Sequence, residues 1–259
     1  MSATALNPEA FVDFKLKSIH KLTPNTSKFI FELPEDQSLG MTVASCVVTK
    51  FTNAEGKAVI RPYTSTSDAD LKGSFDFVVK RYDAGVMSVH IHSLKVGDTL
   101  AVKGPIPKYP LQLNQHQSIA LIAGGTGITP MLQLISGILK RKSEDNTKIG
   151  LIYANVTPED IILKEEIDVL ARDHPEQFKA TYVIDKAVEG WEGEVGYVTA
   201  DLIKKHIPEV GTEGNKVFVC GPPPMMAAVS GVKGPNFTQG EVQGELKELG
   251  LTIDQVFKF

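Results

Sequence analysis

Only two cysteines occur, Cys46 and Cys220, too few for a disulfide framework, a four-cysteine zinc site or an iron-sulfur cluster held by this chain. Any metal redox centre in its chemistry therefore belongs to a partner. No window approaches the roughly 18 consecutive apolar residues of a membrane span. The opening "MSATALNPEA" also lacks the apolar core of a secretory leader, so the chain as given is expected to be soluble. Basic residues are not in excess: 27 Lys and Arg against 31 Asp and Glu leave a formal charge of -4. That balance argues against non-specific nucleic-acid binding, which needs a basic face to displace counterions. Neither a Walker A loop nor a GxGxxG fingerprint occurs, and there is no internal repeat or low-complexity tract.

What the chain does have is length and apolar content, 259 residues at 42% hydrophobic, enough for one large core or two ordinary ones. Up to about residue 113 the pattern alternates as strands do. Phe29, Phe31 and Leu33 fall on one face of "KFIFEL", and Phe75, Phe77 and Val79 on one face of "SFDFVVK". Turn clusters such as "PEDQSLG" and "NAEGK" interrupt at short intervals, which predicts an antiparallel barrel. From residue 118 the runs "SIALIA", "KIGLIYA", "KATYVI" and "KVFVC" alternate with helix-like stretches beginning near 130, 159, 199 and 222. That alternation predicts a parallel sheet covered by helices. "PKYPLQLNQHQ", residues 107–117, reads as the hinge.

Four short stretches carry candidate chemistry. "LIAGGTGITP" lies between a predicted strand and a predicted helix, where glycines let a phosphate approach the backbone, Thr129 is placed to cap the helix and Pro130 to open it. An ordinary tight βα turn is the alternative. "VFVCGPPPMM" ends another strand, and ligands of open α/β sheets gather at such carboxyl ends, so both loops point to one crevice with Cys220 at its edge. A small buried residue at a strand end is the alternative for Cys220. "RPYTSTS" combines a permanent cation, Arg61, with Tyr63 and Thr64, which suit a phosphate and a flat ring system. "GVMS", residues 85–88, places a glycine turn and a serine at a helix start. Taken singly, the last two are also explained as a strand edge and a turn.

In this order and spacing the four motifs resemble the ferredoxin-reductase-like flavoenzymes, and within them the NADH-cytochrome b5 reductases, especially the fungal mitochondrial form. "DFKL", "KGPIPKYP", "TPEDIILKEEID" and "DQVFKF" support the narrower match, which runs from about residue 11 to the end. The resemblance implies an N-terminal antiparallel Greek-key β-barrel for FAD, residues 1–113 with a hinge from about 107, and a C-terminal α/β Rossmann-like parallel sheet for NADH, residues 114–259. It implies FAD contacts from Arg61, Pro62, Tyr63, Thr64, Val78, Lys80, Tyr82 and Thr129, with Gly85, Val86, Met87 and Ser88 on the pyrophosphate. Thr126 and Thr129 fall at the flavin-nicotinamide junction, Gly125 and Gly127 beside the NADH pyrophosphate, and Cys220, Gly221, Pro222, Pro223 and Met225 around the nicotinamide. Tyr63, Thr64, Thr126 and Cys220 border the reacting rings in this scheme. The implied chemistry is hydride transfer from NADH to FAD, then single electrons to cytochrome b5 or a similar haem protein, by a monomer with no metal of its own.

Around the expected 2′-hydroxyl position the chain reads "YANVTPEDII", with Glu159 and Asp160 and no arginine, so NADH is expected over NADPH. Val86 departs from the lysine common in relatives, which removes a cation associated with docking acidic cytochrome b5. Lys80, Lys103, Lys108 and "KRK" at 140–142 are other candidates, or simply solvated faces. A mitochondrial location follows from the resemblance, with a cytoplasmic or endoplasmic-reticulum face as the alternative. The reductase portion of a larger flavoprotein such as nitrate reductase would share every motif, although the C-terminal "VFKF" and the lack of a preceding domain favour a stand-alone enzyme. A non-redox nucleotide-binding module is the remaining alternative. His90 and His92 lack further ligands at metal-site spacing, Cys46 reads as strand core, and Trp191 as a surface loop or a shield for the nucleotide site.

Overall fold

A computed structural model describes residues 4–259; the first three residues of the expected barrel domain lie outside the described residues. The chain forms two compact units that divide between Leu111 and Gln112.

The first unit contains β1 (Val12–Thr23), β2 (Thr26–Glu32), β3 (Ser45–Thr52), β4 (Ala58–Tyr63), β5 (Ser74–Lys80), α1 (Val86–Ser93) and β6 (Thr99–Pro107). Its strands lie in the order β4-β3-β6-β1-β2-β5, and each recorded pair is antiparallel. Register explains the core. Phe31 pairs with Phe75 and Phe29 with Phe77, so the period-2 pattern places four phenyl rings on one face. All four are buried, with Phe31 and Phe75 stacked at 5.2 Å between centroids. Burying each ring contributes about 2–3 kcal/mol. Helix α1 packs against β4 and β5, the two ends of the strand order, and buries Met87 and Ile91. The motif-bearing ends of β4 and α1 are thereby held on one scaffold.

The second unit contains β7 (Ser118–Gly124), α2 (Ile128–Leu139), β8 (Lys148–Asn155), α3 (Lys164–Asp173), β9 (Phe178–Ile184), β10 (Glu194–Val195), α4 (Ala200–His206), β11 (Asn215–Cys220), α5 (Pro223–Val229), α6 (Gly244–Glu248) and β12 (Val256–Lys258). The order is β10-β9-β8-β7-β11-β12 and all recorded pairs are parallel. Every residue of β7 is buried, as a central strand covered on both faces requires. The chain runs outward to β10 on one side of β7 and to β12 on the other. The loop after β7 therefore stands at the point where strand order reverses, the usual place for a ligand crevice.

Two helix starts differ from expectation. Thr129 does not cap α2, because a 3-10 turn at Gly125–Gly127 takes the chain into the helix at Ile128, with Gly127 as the N-cap. The Thr129 hydroxyl donates to the Thr126 carbonyl instead, at 3.2 Å. Pro130 falls third in the helix, which costs no hydrogen bond because first-turn N–H groups have no intrahelical acceptor. The stretch from 159 is likewise a 3-10 turn, Pro158–Asp160, and α3 starts only at Lys164. Burial of Ile161, Ile162 and Leu163 pulls the intervening backbone inward, and Leu163 turns through the left-handed region at φ 59°.

Candidate functional site

In the first unit, β4 ends on Tyr63 and delivers the extended "RPYTSTS" segment. Thr49 Oγ1 donates to the Arg61 carbonyl at 3.1 Å, the Thr66 hydroxyl donates to Asp76 Oδ1, and the Asp76 N–H donates to Ser67 Oγ at 2.7 Å. These bonds lash both sides of Tyr63 and Thr64 to β3 and β5. Arg61 is exposed, with Nη1 donating to the Ile60 carbonyl at 2.7 Å and the rest of its fork of donors at the surface. Half-buried Tyr63 lies 5.8 Å from Phe77, and burial pushes its phenol up to about 12, with Arg61 pulling it down and Tyr82 pushing it up. The phenol is therefore a neutral hydrogen-bonding group at physiological pH. Val78 is buried in β5, while Lys80 at its end is half-buried.

The "GVMS" turn is built around a hydroxyl. Ser88 Oγ accepts from the Tyr82 N–H at 3.1 Å and donates to the Gly85 carbonyl at 3.0 Å. A Cβ on Gly85 would stand 2.5 Å from that oxygen, so glycine is required for the loop to close. Buried Ser88 thus spends its hydroxyl on loop shape. The N–H groups of Val86, Met87 and Ser88 open the first turn of α1, where no residue four back supplies a carbonyl. They fit an anion, while the exposed Val86 side chain takes no part in the turn.

In the second unit the two expected loops meet. A Cβ on Gly127 would come within 2.1 Å of the Cys220 carbonyl oxygen, and one on Gly124 within 2.3 Å of Met225 Sδ and 2.9 Å of Pro222 Cδ. Only hydrogen atoms fit between them. Gly125 differs: it is left-handed, at φ 52°, and a Cβ there would meet nothing within 4 Å. That is an open cradle on which a phosphate can lie against the backbone. Gly221 is packed against Met225, and Pro222 and Pro223 start α5. Burial pushes the Cys220 thiol up to about 12, with Lys233 lowering it slightly, so the sulfur is a neutral packing surface rather than a nucleophile.

Asp160 Oδ2 accepts from the Thr157 hydroxyl at 3.3 Å, tying the carboxylate to the loop after β8. Sequence reasoning overlooked two residues here. Tyr153, fully buried in β8, donates its hydroxyl to the Gly125 carbonyl at 3.0 Å. Asn155, buried at the end of the same strand, has neither amide atom paired within the described structure. A buried amide without partners costs about 1–3 kcal/mol, so it is polar capacity that a ligand can satisfy. With the Gly125 cradle, it makes the carboxyl end of this sheet fit a dinucleotide. Both residues stood inside "KIGLIYAN", where apolar periodicity drew attention away from polar tips.

The other singled-out residues have local roles. His92 Nε2 bonds the Val79 carbonyl at 2.9 Å, His90 stacks on Phe51 at 3.8 Å, and Cys46 is buried in β3. Among the described residues no cluster of metal-binding side chains occurs. Trp191 donates Nε1 to the Glu194 carbonyl and lines a cavity with Thr181, Tyr182 and His206.

Comparison with known proteins adds identity to this geometry. An oxidoreductase FAD-binding domain matches residues 13–110 and an oxidoreductase NAD-binding domain residues 121–231. The chain is 51% identical to NADH-cytochrome b5 reductase 2 of Yarrowia lipolytica over 259 residues, covering 100% of this chain and 89% of that protein. It is 49% identical to an NADH-cytochrome b5 reductase-like protein of Arabidopsis thaliana, covering 99% of this chain and 79% of that one. The solved cytochrome b5 reductase domain of Ulva prolifera nitrate reductase superposes with a TM-score of 0.84 at 31% identity, covering 99% of this chain and 100% of that one. Two cofactor domains in this order, with such identity along the whole length, establish that the chain belongs to the NADH-cytochrome b5 reductase family.

Proposed function

We propose that this protein takes a hydride from NADH onto bound FAD and passes single electrons to cytochrome b5 or a similar haem protein. The observation that carries the reading is the mutual packing of the loops at 124–130 and 220–225 beside an open left-handed glycine, in a domain that follows a barrel carrying "RPYT" and "GVMS". Bound FAD and NADH supply the redox chemistry, a two-electron donor coupled to a one-electron carrier.

The chain supplies position. Arg61 offers a fixed cation to the FAD phosphates, and the first-turn amides of α1 offer donors to its pyrophosphate. Pro62, Tyr63, Thr64, Val78, Lys80 and Tyr82 line the flavin in this reading, with the neutral Tyr63 phenol serving as a hydrogen-bonding wall. Gly125 and Gly127 receive the NADH pyrophosphate, Thr126 and Thr129 stand where the nicotinamide meets the flavin, and Cys220, Gly221, Pro222, Pro223 and Met225 hold the nicotinamide. Because Cys220 stays protonated, it is a neutral wall beside the nicotinamide that helps fix its approach, and no thiolate is present to add to the oxidised ring.

Glu159 and Asp160 after β8 support NADH over NADPH, since carboxylates repel a 2′-phosphate; comparable kcat/KM for the two donors would overturn this. Lys80, Lys103, Lys108 and the basic residues at 140–142 are candidate contacts for an acidic acceptor in place of a cation at Val86. Among the described residues, no helix is long and apolar enough to cross a membrane. The resemblance to the fungal mitochondrial form supports a mitochondrial site of action and a monomer, which subcellular fractionation and light scattering test.

The decisive experiment is stopped-flow mixing of the yellow holoprotein with NADH and oxidised cytochrome b5. Flavin bleaching followed by haem reduction is expected, slowing as salt is added. A colourless protein, or one that NADH does not bleach, would refute the assignment. The Ulva match keeps a nitrate-reductase-type role as the second reading, for which cytochrome b5 would be a poor acceptor relative to a fused haem domain.

A further inference from the structure

We infer that Tyr153 is a positioning residue for the nucleotide: its hydroxyl pins the Gly125 carbonyl inward and so aims the Thr126 N–H out of the loop toward the NADH pyrophosphate. The inference rests on reading residues 124–130 as the nucleotide turn.

The geometry follows from strand register. Tyr153 pairs with Ala123 of β7 and Tyr182 of β9, so it stands two strand positions from Asn155 and on the same face. Its ring is fully buried, 6.3 Å from that of Tyr182, and is fixed by packing. From there the hydroxyl reaches the carbonyl oxygen of Gly125 at 3.0 Å, one residue beyond the end of β7. The same carbonyl also accepts from the Ile128 N–H that begins α2. Two donors thus hold one oxygen from the protein side.

A trans peptide has its C=O and N–H antiparallel. Holding the Gly125 oxygen inward therefore directs the N–H of the same peptide unit, that of Thr126, away from the core. Gly125 is the left-handed residue of the turn, and the space over its α-carbon is open. Left-handed glycine is permissive, so without the tyrosine hydroxyl this peptide is restrained by the Ile128 bond alone. Pre-aiming the amide lowers the ordering cost when a phosphate oxygen arrives. The isosteric phenylalanine would fill the core equally well, so what the hydroxyl adds is direction.

The test is Tyr153→Phe in the FAD-loaded protein, read by calorimetric titration with NAD+ and with ADP-ribose, which carries the same pyrophosphate. Loss of one neutral hydrogen bond predicts Kd values weaker by roughly 3- to 10-fold for both ligands. At saturating NADH the limiting rate of flavin reduction is expected to fall by less than about twofold, so the loss appears in KM and not in kcat. In amide-resolved NMR, ADP-ribose should shift the Thr126 N–H strongly in the wild type and weakly in the variant. Lower thermal stability with both Kd values unchanged would reduce Tyr153 to a core residue and overturn the proposal. Failure of the wild type itself to bind either ligand would instead overturn the nucleotide reading of the loop, and the proposal with it.

Discussion

The turn at Gly85 and the turn at Gly124 to Gly127 both present backbone amides at the start of a helix, yet they are held in different ways. The first is closed by a side chain: Ser88 bridges Tyr82 and Gly85 through its hydroxyl, and the backbone at Gly85 is extended, with φ -88°. The second is closed by backbone, with Gly127 pressed onto the Cys220 carbonyl and Gly125 in the left-handed region. A turn shaped by a hydroxyl tolerates change at its outward position, where the Val86 side chain is exposed and takes no part in closing the loop. A turn shaped by contact between two loops has no such freedom at Gly124 and Gly127, which are fitted to the partner loop.

The largest expected effect comes from putting a methyl group into that contact. Gly127→Ala places Cβ against backbone that cannot swing aside, and should destabilise the second unit by about 3 kcal/mol. That corresponds to a Tm lower by roughly 6–12 °C for a unit of this size. Gly125→Ala meets open space and bears only the left-handed backbone cost, about 1 kcal/mol. Thermal unfolding of the two variants orders them; if Gly125→Ala were the more damaging, steric fit to the Cys220 loop would not be what holds the turn.

On the barrel side, Arg61→Ala should weaken FAD by about 1.5–3 kcal/mol, roughly 10- to 150-fold, through loss of a charged hydrogen bond. Flavin occupancy measured on serial dilution checks this, and unchanged occupancy would remove Arg61 from the phosphate. A smaller loss is expected for Ser88→Ala, which strips the Tyr82 N–H of its acceptor and the Gly85 carbonyl of a donor. It should cost the barrel about 1–2 kcal/mol in chemical denaturation. A Gly85 turn that kept full FAD affinity in this variant would show that the backbone alone sets its shape.

The thiol of Cys220 gives a pH-dependent counterpart on the other side. Its ordinary value is 9.0 and burial raises it to about 12, so the folded state keeps a proton that the unfolded state releases. The stability due to the neutral buried thiol is complete below about pH 9 and is lost as pH rises toward 12. Cys220→Ala should flatten that alkaline decline by at most about 1.4 kcal/mol per pH unit. In the wild type the limiting rate of flavin reduction should show no thiol inflection between roughly pH 6 and 9; an inflection there that vanished in the variant would mean that the sulfur ionises in its working environment.

Period-2 phenylalanines announced the barrel core, and the alternation of apolar runs with helical stretches announced the parallel sheet, because both signals are local and dense. The loops were legible for the same reason: "RPYT", "GVMS", "GGTG" and "CGPPP" are compact. Less legible was how the loops are held. Thr129 looks like a cap from its neighbours, but the 3-10 turn at Gly125 to Gly127 depends on packing against Cys220, nearly a hundred residues away. Tyr153 and Asn155 were hidden for a related reason. A strand's periodicity tells which face a side chain takes, not which loop its polar tip reaches.

Asn155 offers the finest discrimination. Truncation to alanine removes some packing but also relieves an amide that finds no partner among the described residues, and the two effects oppose each other. The net change in stability without ligand should stay within about 0.5 kcal/mol. If the amide serves the nucleotide, the rise in Tm produced by saturating NAD+ should shrink in Asn155→Ala, because ligand stabilisation follows the ratio of concentration to Kd. If instead the variant loses about 2 kcal/mol or more while the NAD+ increment is preserved, the amide supports the end of β8 and not the ligand. The first outcome would place both polar tips of β8 in the service of the loop that follows β7. The second would leave Tyr153 alone in that role.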